Sequence, residues 1–161
     1  PIQIVHFLLL QRKLGRHYKG KFLLTKKGKD LMESPAQLFH ELMPFFILEV
    51  DHSSYARLDE RPIGNWDVWL NVMNVELEAG LSEKQIYGLF YGEGPDWGNA
   101  GWREMAIFSS YVLKPLQWAG LVSVHEVEGG DGRNWMHFKT PLWGEALRLE
   151  TDEMVKAVVR H

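Results

Sequence analysis

The sequence predicts a mainly α chain with two small antiparallel β-hairpins, an α+β class, on the strength of three observations. First, two segments share one syntax. Leu14-Gly15 leads into a short β-prone ribbon and then Thr25-Lys26-Lys27-Gly28. Ala119-Gly120-Leu121-Val122 leads into a longer ribbon and then Thr140-Pro141-Leu142-Trp143-Gly144. In both, a helix stops on Gly, a ribbon follows, and Thr caps a helix with Gly on its first turn. Second, Ser34-Pro35-Ala36-Gln37 and Ser82-Glu83-Lys84-Gln85 have the spacing of capping boxes. Third, Trp66, Trp69, Leu70, Met73 and Leu77 recur at helical spacing.

Composition agrees with a folded core: 161 residues, 45% hydrophobic and 24% charged. The absence of cysteine excludes disulfide scaffolds, thiolate metal sites and a Cys nucleophile. Near the start the longest apolar run, Phe7-Leu8-Leu9-Leu10, is too short to span a bilayer. The expectation is a soluble, cytoplasmic protein without membrane contact.

The elements follow in order. Ile2 to Leu14 reads as a helix ended by Gly15. Arg16-His17-Tyr18, a Lys19-Gly20 turn and Lys21–Thr25 make the first hairpin, and Thr25 caps a helix through Met32. Ser34 opens a helix through about residue 50, bent at Pro44. Residues 51–62 read as a polar loop. Asn65 caps the tryptophan-bearing helix, which Gly80 ends, and Ser82 starts a short helix with Ile86, Leu89 and Phe90 inward. Glycines crowd residues 92–101, which read as a linker. A longer helix runs from Trp102 to about Ala119, with Pro115 near its end and Gly120 as its stop. Strands at Leu121–Val127 and Trp135–Lys139 flank a loop at 129–134, and Thr140-Pro141 caps one final helix. Close packing of each hairpin under its own helix explains Gly28 and Gly144. The chain divides at residues 1–50, a helix, basic hairpin and helix, and 62–161, within one compact structural domain.

The helix-Gly-hairpin-Thr string resembles the recognition helix, wing and following helix of the winged helix-turn-helix superfamily. The second copy matches better, because helices at 66–79, 83–91 and 102–119 precede its ribbon; the resemblance covers about residues 62–161. Trp118-Ala119-Gly120-Leu121-Val122 and Thr140-Pro141-Leu142-Trp143-Gly144 are similar to the two ends of the wing in regulators of the MarR and PadR type. The resemblance implies a winged-helix-like fold in two degenerate copies, the first with one helix ahead of its hairpin. It implies a DNA-binding, transcription-regulator-like protein. A winged-helix scaffold for protein–protein contact is the alternative, because one fold serves many functions. Lys13-Leu14-Gly15, Leu24-Thr25-Lys26-Lys27-Gly28 and Ser34-Pro35-Ala36-Gln37-Leu38 also resemble bacterial proteins related to the plasmid ORF-3-like family, a likeness that carries no activity.

Charge is distributed unevenly. Residues 1–30 carry Arg12, Lys13, Arg16, Lys19, Lys21, Lys26, Lys27 and Lys29 against Asp30, a balance of +7, whereas residues 31–128 balance at −10. Lys19, Lys21, Lys26 and Lys27 can neutralise phosphates or merely solubilise a hairpin rim. On helix 102–119, Arg103, Ser110, Lys114 and Gln117 fall on one polar face. Arg and Gln suit bidentate base readout, Ser and Lys suit phosphate. Arg133, opposed by Asp131, adds a weak clamp. These nine side chains are the expected nucleic-acid-binding set, with double-stranded DNA the expected partner. The other expected partners are a second copy of the chain, paired through Leu142, Ala146, Leu149, Val155 and Val158, or a different protein.

No enzyme is expected: no catalytic residue, metal site or cofactor emerges. None of the seven histidines pairs with another at i,i+4 beside a carboxylate ligand. His125 and His137 are expected to face each other as an exposed pair across the second hairpin. Gly92–Gly98 lacks the lysine of a P-loop, and Gly129–Gly132 is followed by Arg133, Asn134 and Trp135, which do not complete a calcium loop. Most of the seven tryptophans are expected in the core, with Trp97 and Trp135 exposed.

Overall fold

A computed structural model describes residues 2–56, 58–92, 101–129 and 132–158. By its internal contacts the chain divides into two compact units, Pro1–Val50 and Asp51–His161.

In the first unit, α1 (Ile2–Gln11) carries the buried Ile4 and Leu8 one turn apart. It ends earlier than its apolar run predicts. The left-handed residue past its end is Lys13 (φ 57°), not Gly15. Gly15 instead opens β1 (Gly15–Tyr18), where the Phe22 ring lies over it; a Cβ there would come within 2.1 Å of that ring. β1 pairs with β2 (Lys21–Leu24) through a two-residue turn in which Lys19 and Gly20 both have positive φ (49° and 72°). Such a turn matches the twist of the strands it joins.

Thr25 caps α2 (Lys26–Met32), its hydroxyl oxygen accepting from the Gly28 N–H at 3.1 Å. A Cβ on Gly28 would sit 2.1 Å from the Leu14 carbonyl oxygen, as expected of a helix packed over its own hairpin. α3 (Pro35–Pro44) begins at the predicted place, but Ser34 makes no side-chain cap. A residue ahead of proline is held in extended backbone, and Ser34 (φ −132°, ψ 85°) does not close the expected box. Past Pro44 the helix continues as an i→i+5 turn, Phe45–Glu49, closed by Val50 N–H donating to Phe45 O at 3.2 Å.

The second unit opens with a surprise in the predicted polar loop. A 3-10 turn at His52–Tyr55 is capped by Asp51, and His52 and Ser53 are buried. α4 (Trp66–Glu76) starts on Asn65, whose Oδ1 accepts from Val68 N–H at 3.0 Å, and it buries Trp69, Leu70 and Met73. A 3-10 turn, Leu77–Ala79, follows and ends at Gly80 (φ 77°). β3 (Leu81–Ser82) leads into α5 (Glu83–Tyr91), whose capping box forms fully: Ser82 N–H donates to Gln85 Oε1 at 2.9 Å and Gln85 N–H donates to Ser82 Oγ at 3.3 Å. Ile86 is buried, but Leu89 is exposed, so the inward face of α5 is narrower than predicted. The expected linker at 92–101 falls mostly outside the described residues.

α6 (Gly101–Phe108), an i→i+5 stretch at Ser109–Leu113 and α7 (Lys114–Trp118) make one helical run that stops at Gly120 (φ 74°). Pro115 has no N–H, and its ring crowds the carbonyl one turn back, which accounts for the widened ladder just before it. β4 (Val122–Gly129) and β5 (Gly132–Lys139) extend further than predicted, with Gly129 paired to Gly132. The expected loop at 129–134 is therefore mostly strand. The sheet order is β3-β5-β4, all antiparallel.

The predicted single terminal helix is two. α8 (Pro141–Ala146) stops where Leu147 turns extended (φ −108°, ψ 147°), and α9 (Asp152–Val158) follows. Thr140 does not cap by its side chain; its hydroxyl donates to Gly120 O at 2.6 Å and ties the helix to the start of the ribbon. Nothing lies within 4 Å of a Cβ built on Gly144, so the steric reason for glycine there fails. The buried Asn74 organises this region. Its Nδ2 donates to Thr151 Oγ1 and Asp152 Oδ1, both at 3.0 Å, its Oδ1 accepts from Trp143 Nε1 at 2.9 Å, and its carbonyl accepts from Lys139 Nζ at 2.6 Å. One side chain thus ties α4 to α8 and α9, and its carbonyl adds β5. Trp69 and Trp143 are buried and Trp135 is exposed, but Trp102 and Trp118 are also half-exposed, against expectation; Trp97 lies outside the described residues. Among the described residues no helix is long and apolar enough to cross a membrane.

Candidate nucleic-acid interface

The hairpin register fixes which side chains share a face. Arg16 opposes Leu23 and Tyr18 opposes Lys21, and all four are exposed on one side of the ribbon. On the other side His17 and Phe22 pack with His6 of α1, ring centroids 5.0 and 4.8 Å apart. Arg16 lies 5.7 Å and Lys19 Nζ 5.4 Å from the Tyr18 ring centre, so cations gather around one aromatic ring. Lys19, Lys21 and Lys26 are exposed and make no ion pair among the described residues. Lys27 differs. Its Nζ lies 2.7 Å from Glu41 Oε1, which also accepts from Arg12 Nε at 3.0 Å. The Lys27 hydrogen bond, helped by Arg12, holds the Glu41 carboxyl below the usual carboxylate range. Lys27 is thereby engaged in joining α2 to α3.

Of the polar residues expected to form one stripe on helix 102–119, only Ser110 and Lys114 share their surroundings. Arg103 pairs with the carboxylate of Glu60. Gln117 is half-buried. Ser110 and Lys114 line a cavity of about 440 Å³ together with Trp102, Ala106 and Trp118 of the same helical run and His52, Ala56 and Leu58 opposite. Every fourth residue drifts about 40° around an α-helix, so Trp102 and Trp118 should lie far apart around the axis. The i→i+5 stretch between them winds less per residue and takes back part of that drift.

The opposite wall is pinned. Asp51 Oδ2 accepts from Arg61 Nη2 at 2.6 Å, and its Oδ1 accepts from Ser53 Oγ at 2.7 Å. These bonds, Arg61 first, hold the Asp51 carboxyl below its ordinary value. The His52 ring meets Trp66 and Tyr111 edge-on, each 5.8 Å away, and burial pushes the Tyr111 hydroxyl up. None of His52, Ala56, Leu58, Trp102 or Trp118 was expected at a site. The signal was the Trp102, Ala106, Ser110, Lys114, Trp118 series, large at its ends and small within.

In the second ribbon Arg133 pairs with Glu128 across the strands, and its side chain and Asp131 lie outside the described residues. His137 faces Val124, and His125 faces Met136, so the predicted histidine pair does not form. His137 is buried, while His125 is exposed and bonded to Ser123 Oγ at 3.0 Å. Among the described residues no group of three or more His, Asp or Glu is placed to hold a metal.

The chain is similar to two known domain families along its length. Residues 56–141 match the y4jL C-terminal domain and residues 1–37 match the y4jL N-terminal domain. The first match spans more than half of the chain, which belongs to the y4jL C-terminal domain family. No curated protein matches the chain, and no solved structure does.

Proposed function

We propose that this chain is a nucleic-acid-binding protein of winged-helix build whose phosphate contacts come from the basic hairpin of its first unit. The observation that carries the reading is the exposed face Arg16, Tyr18, Lys21 and Leu23, with Lys19 on the turn and Lys26 beside it. Cations around an exposed aromatic ring suit a phosphate backbone with a base or sugar against the ring. The winged-helix part is supported by element order in the second unit: helix, short strand, two helices, then a long ribbon, with the short strand paired to the second ribbon strand. Helix 101–118 contributes little to this contact, because Arg103 is neutralised by Glu60 and its Ser110 and Lys114 line a cleft.

A gel shift with mixed genomic fragments at about 50 mM salt tests the reading, because phosphate contacts are strongest there. Replacing Lys19, Lys21 and Lys26 together by Gln should remove most of the affinity and leave the fold intact. Lys27→Gln should act through stability, since it breaks the tie to Glu41. Equal DNA affinity in wild type and the triple variant removes the hairpin from the mechanism.

A second reading, a winged-helix scaffold for protein contact, is favoured by Trp102, Trp118 and Trp135, each more than half exposed in the second unit. Absence of any shift at low salt, with the fold intact, favours that reading.

A further inference from the structure

On the outer face of the first hairpin, apolar and cationic side chains lie on opposite diagonals. Tyr18 opposes Lys21 and Arg16 opposes Leu23, which makes Tyr18 and Leu23 diagonal neighbours and sets Arg16 and Lys21 on the other diagonal. Tyr18 is 51% and Leu23 39% exposed, so both apolar surfaces meet solvent. Arg16 Cζ lies 5.7 Å and Lys19 Nζ 5.4 Å from the Tyr18 ring centre. Arg16, Lys19 and Lys21 are exposed and make no ion pair among the described residues. The face therefore offers charge and a half-exposed ring, and the two call for different parts of a ligand. Any polyanion satisfies the cations. Only a flat, accessible group uses the ring.

A duplex does not supply that group. Its bases stack on one another at about 3.4 Å per nucleotide of each strand, and only their edges reach the grooves. An unpaired base turns its face outward and stacks on aromatic side chains. Diagonal neighbours on a ribbon stand about 7–8 Å apart, roughly twice the duplex spacing, which suits successive nucleotides drawn apart. We propose that this face binds single-stranded nucleic acid in preference to duplex, with one base against Tyr18, the next nucleotide over Leu23 and the flanking phosphates on Arg16, Lys19 and Lys21. The cations stand on long flexible stems and follow the phosphates as the base takes the ring. This preference rests on the nucleic-acid reading of the same hairpin and adds the form of nucleic acid it takes. A duplex keeps the phosphate contacts and loses the stacking.

Fluorescence anisotropy on the full chain tests it at about 50 mM salt, where phosphate contacts are strong. The probes are labelled oligo(dT) and oligo(U) of about 20 nucleotides, longer than one binding site, a duplex of the same length, and an abasic strand with the same phosphates. The tighter of oligo(dT) and oligo(U) should bind about tenfold or more tighter than the duplex, within what one stacked base contributes. The difference between those two strands assigns the ligand to DNA or RNA. Tyr18→Ala should weaken the tighter strand by about tenfold and bring it close to the duplex, with the salt slope of wild type retained. Tyr18→Phe should bind as wild type does, because stacking uses the ring and not the hydroxyl. Duplex bound as tightly as both single strands, or an unchanged Tyr18→Ala, overturns the preference and leaves the nucleic-acid reading standing. No binding of any probe overturns both. An abasic strand or a polyglutamate of equal charge, bound as tightly as oligo(dT), overturns the base contact and leaves the face a general site for polyanions or acidic protein.

Discussion

Gly28 and Gly144 follow Thr25 and Thr140 by three and four residues in two copies of one local pattern, yet their surroundings differ completely. A Cβ on Gly28 would press the Leu14 carbonyl at 2.1 Å, a backbone atom that cannot swing aside, whereas Gly144 has nothing within 4 Å. Gly28→Ala should therefore cost about 1–3 kcal/mol or more in urea unfolding. Gly144→Ala should be neutral or gain roughly 0.5–1 kcal/mol, because alanine restricts the unfolded chain and favours the helix. His137 sets a different test. It is buried, its Nδ1 has no hydrogen-bond partner among the described residues, and burial pushes its pKa below 6.5 against the opposing pull of Glu83 and the Leu81 backbone. The unfolded chain takes up a proton near pH 6.5 that the folded chain resists, so stability falls as pH drops below that value and levels off beneath the folded pKa. Glu41 and Asp51, whose pKa values lie below 4.5 and 3.8, contribute stability at higher pH that is lost only as pH falls through their own lower range. Between pH 7 and 5 the loss should therefore shrink in His137→Gln, as read by urea midpoints at both pH values.

Among the elements, the two Ser-x-x-Gln starts make a matched pair. At α5 the box closes in both directions, Ser82 to Gln85 and back, while at α3 Ser34 makes no side-chain cap. Ser82→Ala should cost about 1 kcal/mol, and Ser34→Ala less than about 0.5 kcal/mol, measured by thermal unfolding of each variant against wild type. The two i→i+5 stretches lie on opposite sides of their prolines, one after Pro44 and one before Pro115, so the missing donor and crowded carbonyl fall within the widened ladder only at Pro115. In the second helix that widening has a consequence beyond strain, since it helps bring Trp102 and Trp118 to one cleft.

For the molecule as a whole, the dominant electrostatic feature is the +7 balance of residues 1–30 followed by −10 over residues 31–128. A polyanion is attracted by one stretch and repelled by the other, so binding should depend steeply on salt. With three to four hairpin cations on phosphates, log affinity should fall against log salt with a slope of roughly −3, about 0.9 per contact. The triple Gln variant should flatten that slope by about 0.9 for each contact removed. Fluorescence anisotropy of labelled duplex at four salt concentrations reads both slopes. A slope unchanged in the variant places the phosphate contacts elsewhere.

What could be read from residue order alone was whatever neighbours within about four residues decide. The Lys19-Gly20 turn, the Thr25 and Asn65 caps, the Ser82 box and the Trp69, Leu70, Met73 stripe all belong there, because their bonds close inside one turn. The basic hairpin was legible for the same reason, as a run of charge on a ribbon whose register a two-residue turn sets. What needed the tertiary structure was every property that depends on a distant partner. Lys27 meets Glu41 fourteen residues away, and Arg103 meets Glu60 at forty-three, so a cation expected on phosphate and one expected at base edges are already engaged. The break after Ala146 follows the same logic, because Asn74 holds Thr151 and Asp152 across more than seventy residues. The cleft joins residues 52–58 to residues 102–118, and no local pattern encodes that meeting. Short-range hydrogen bonds and periodicity are written in adjacent residues, whereas burial and charge neutralisation are set by which surfaces the packed chain brings together.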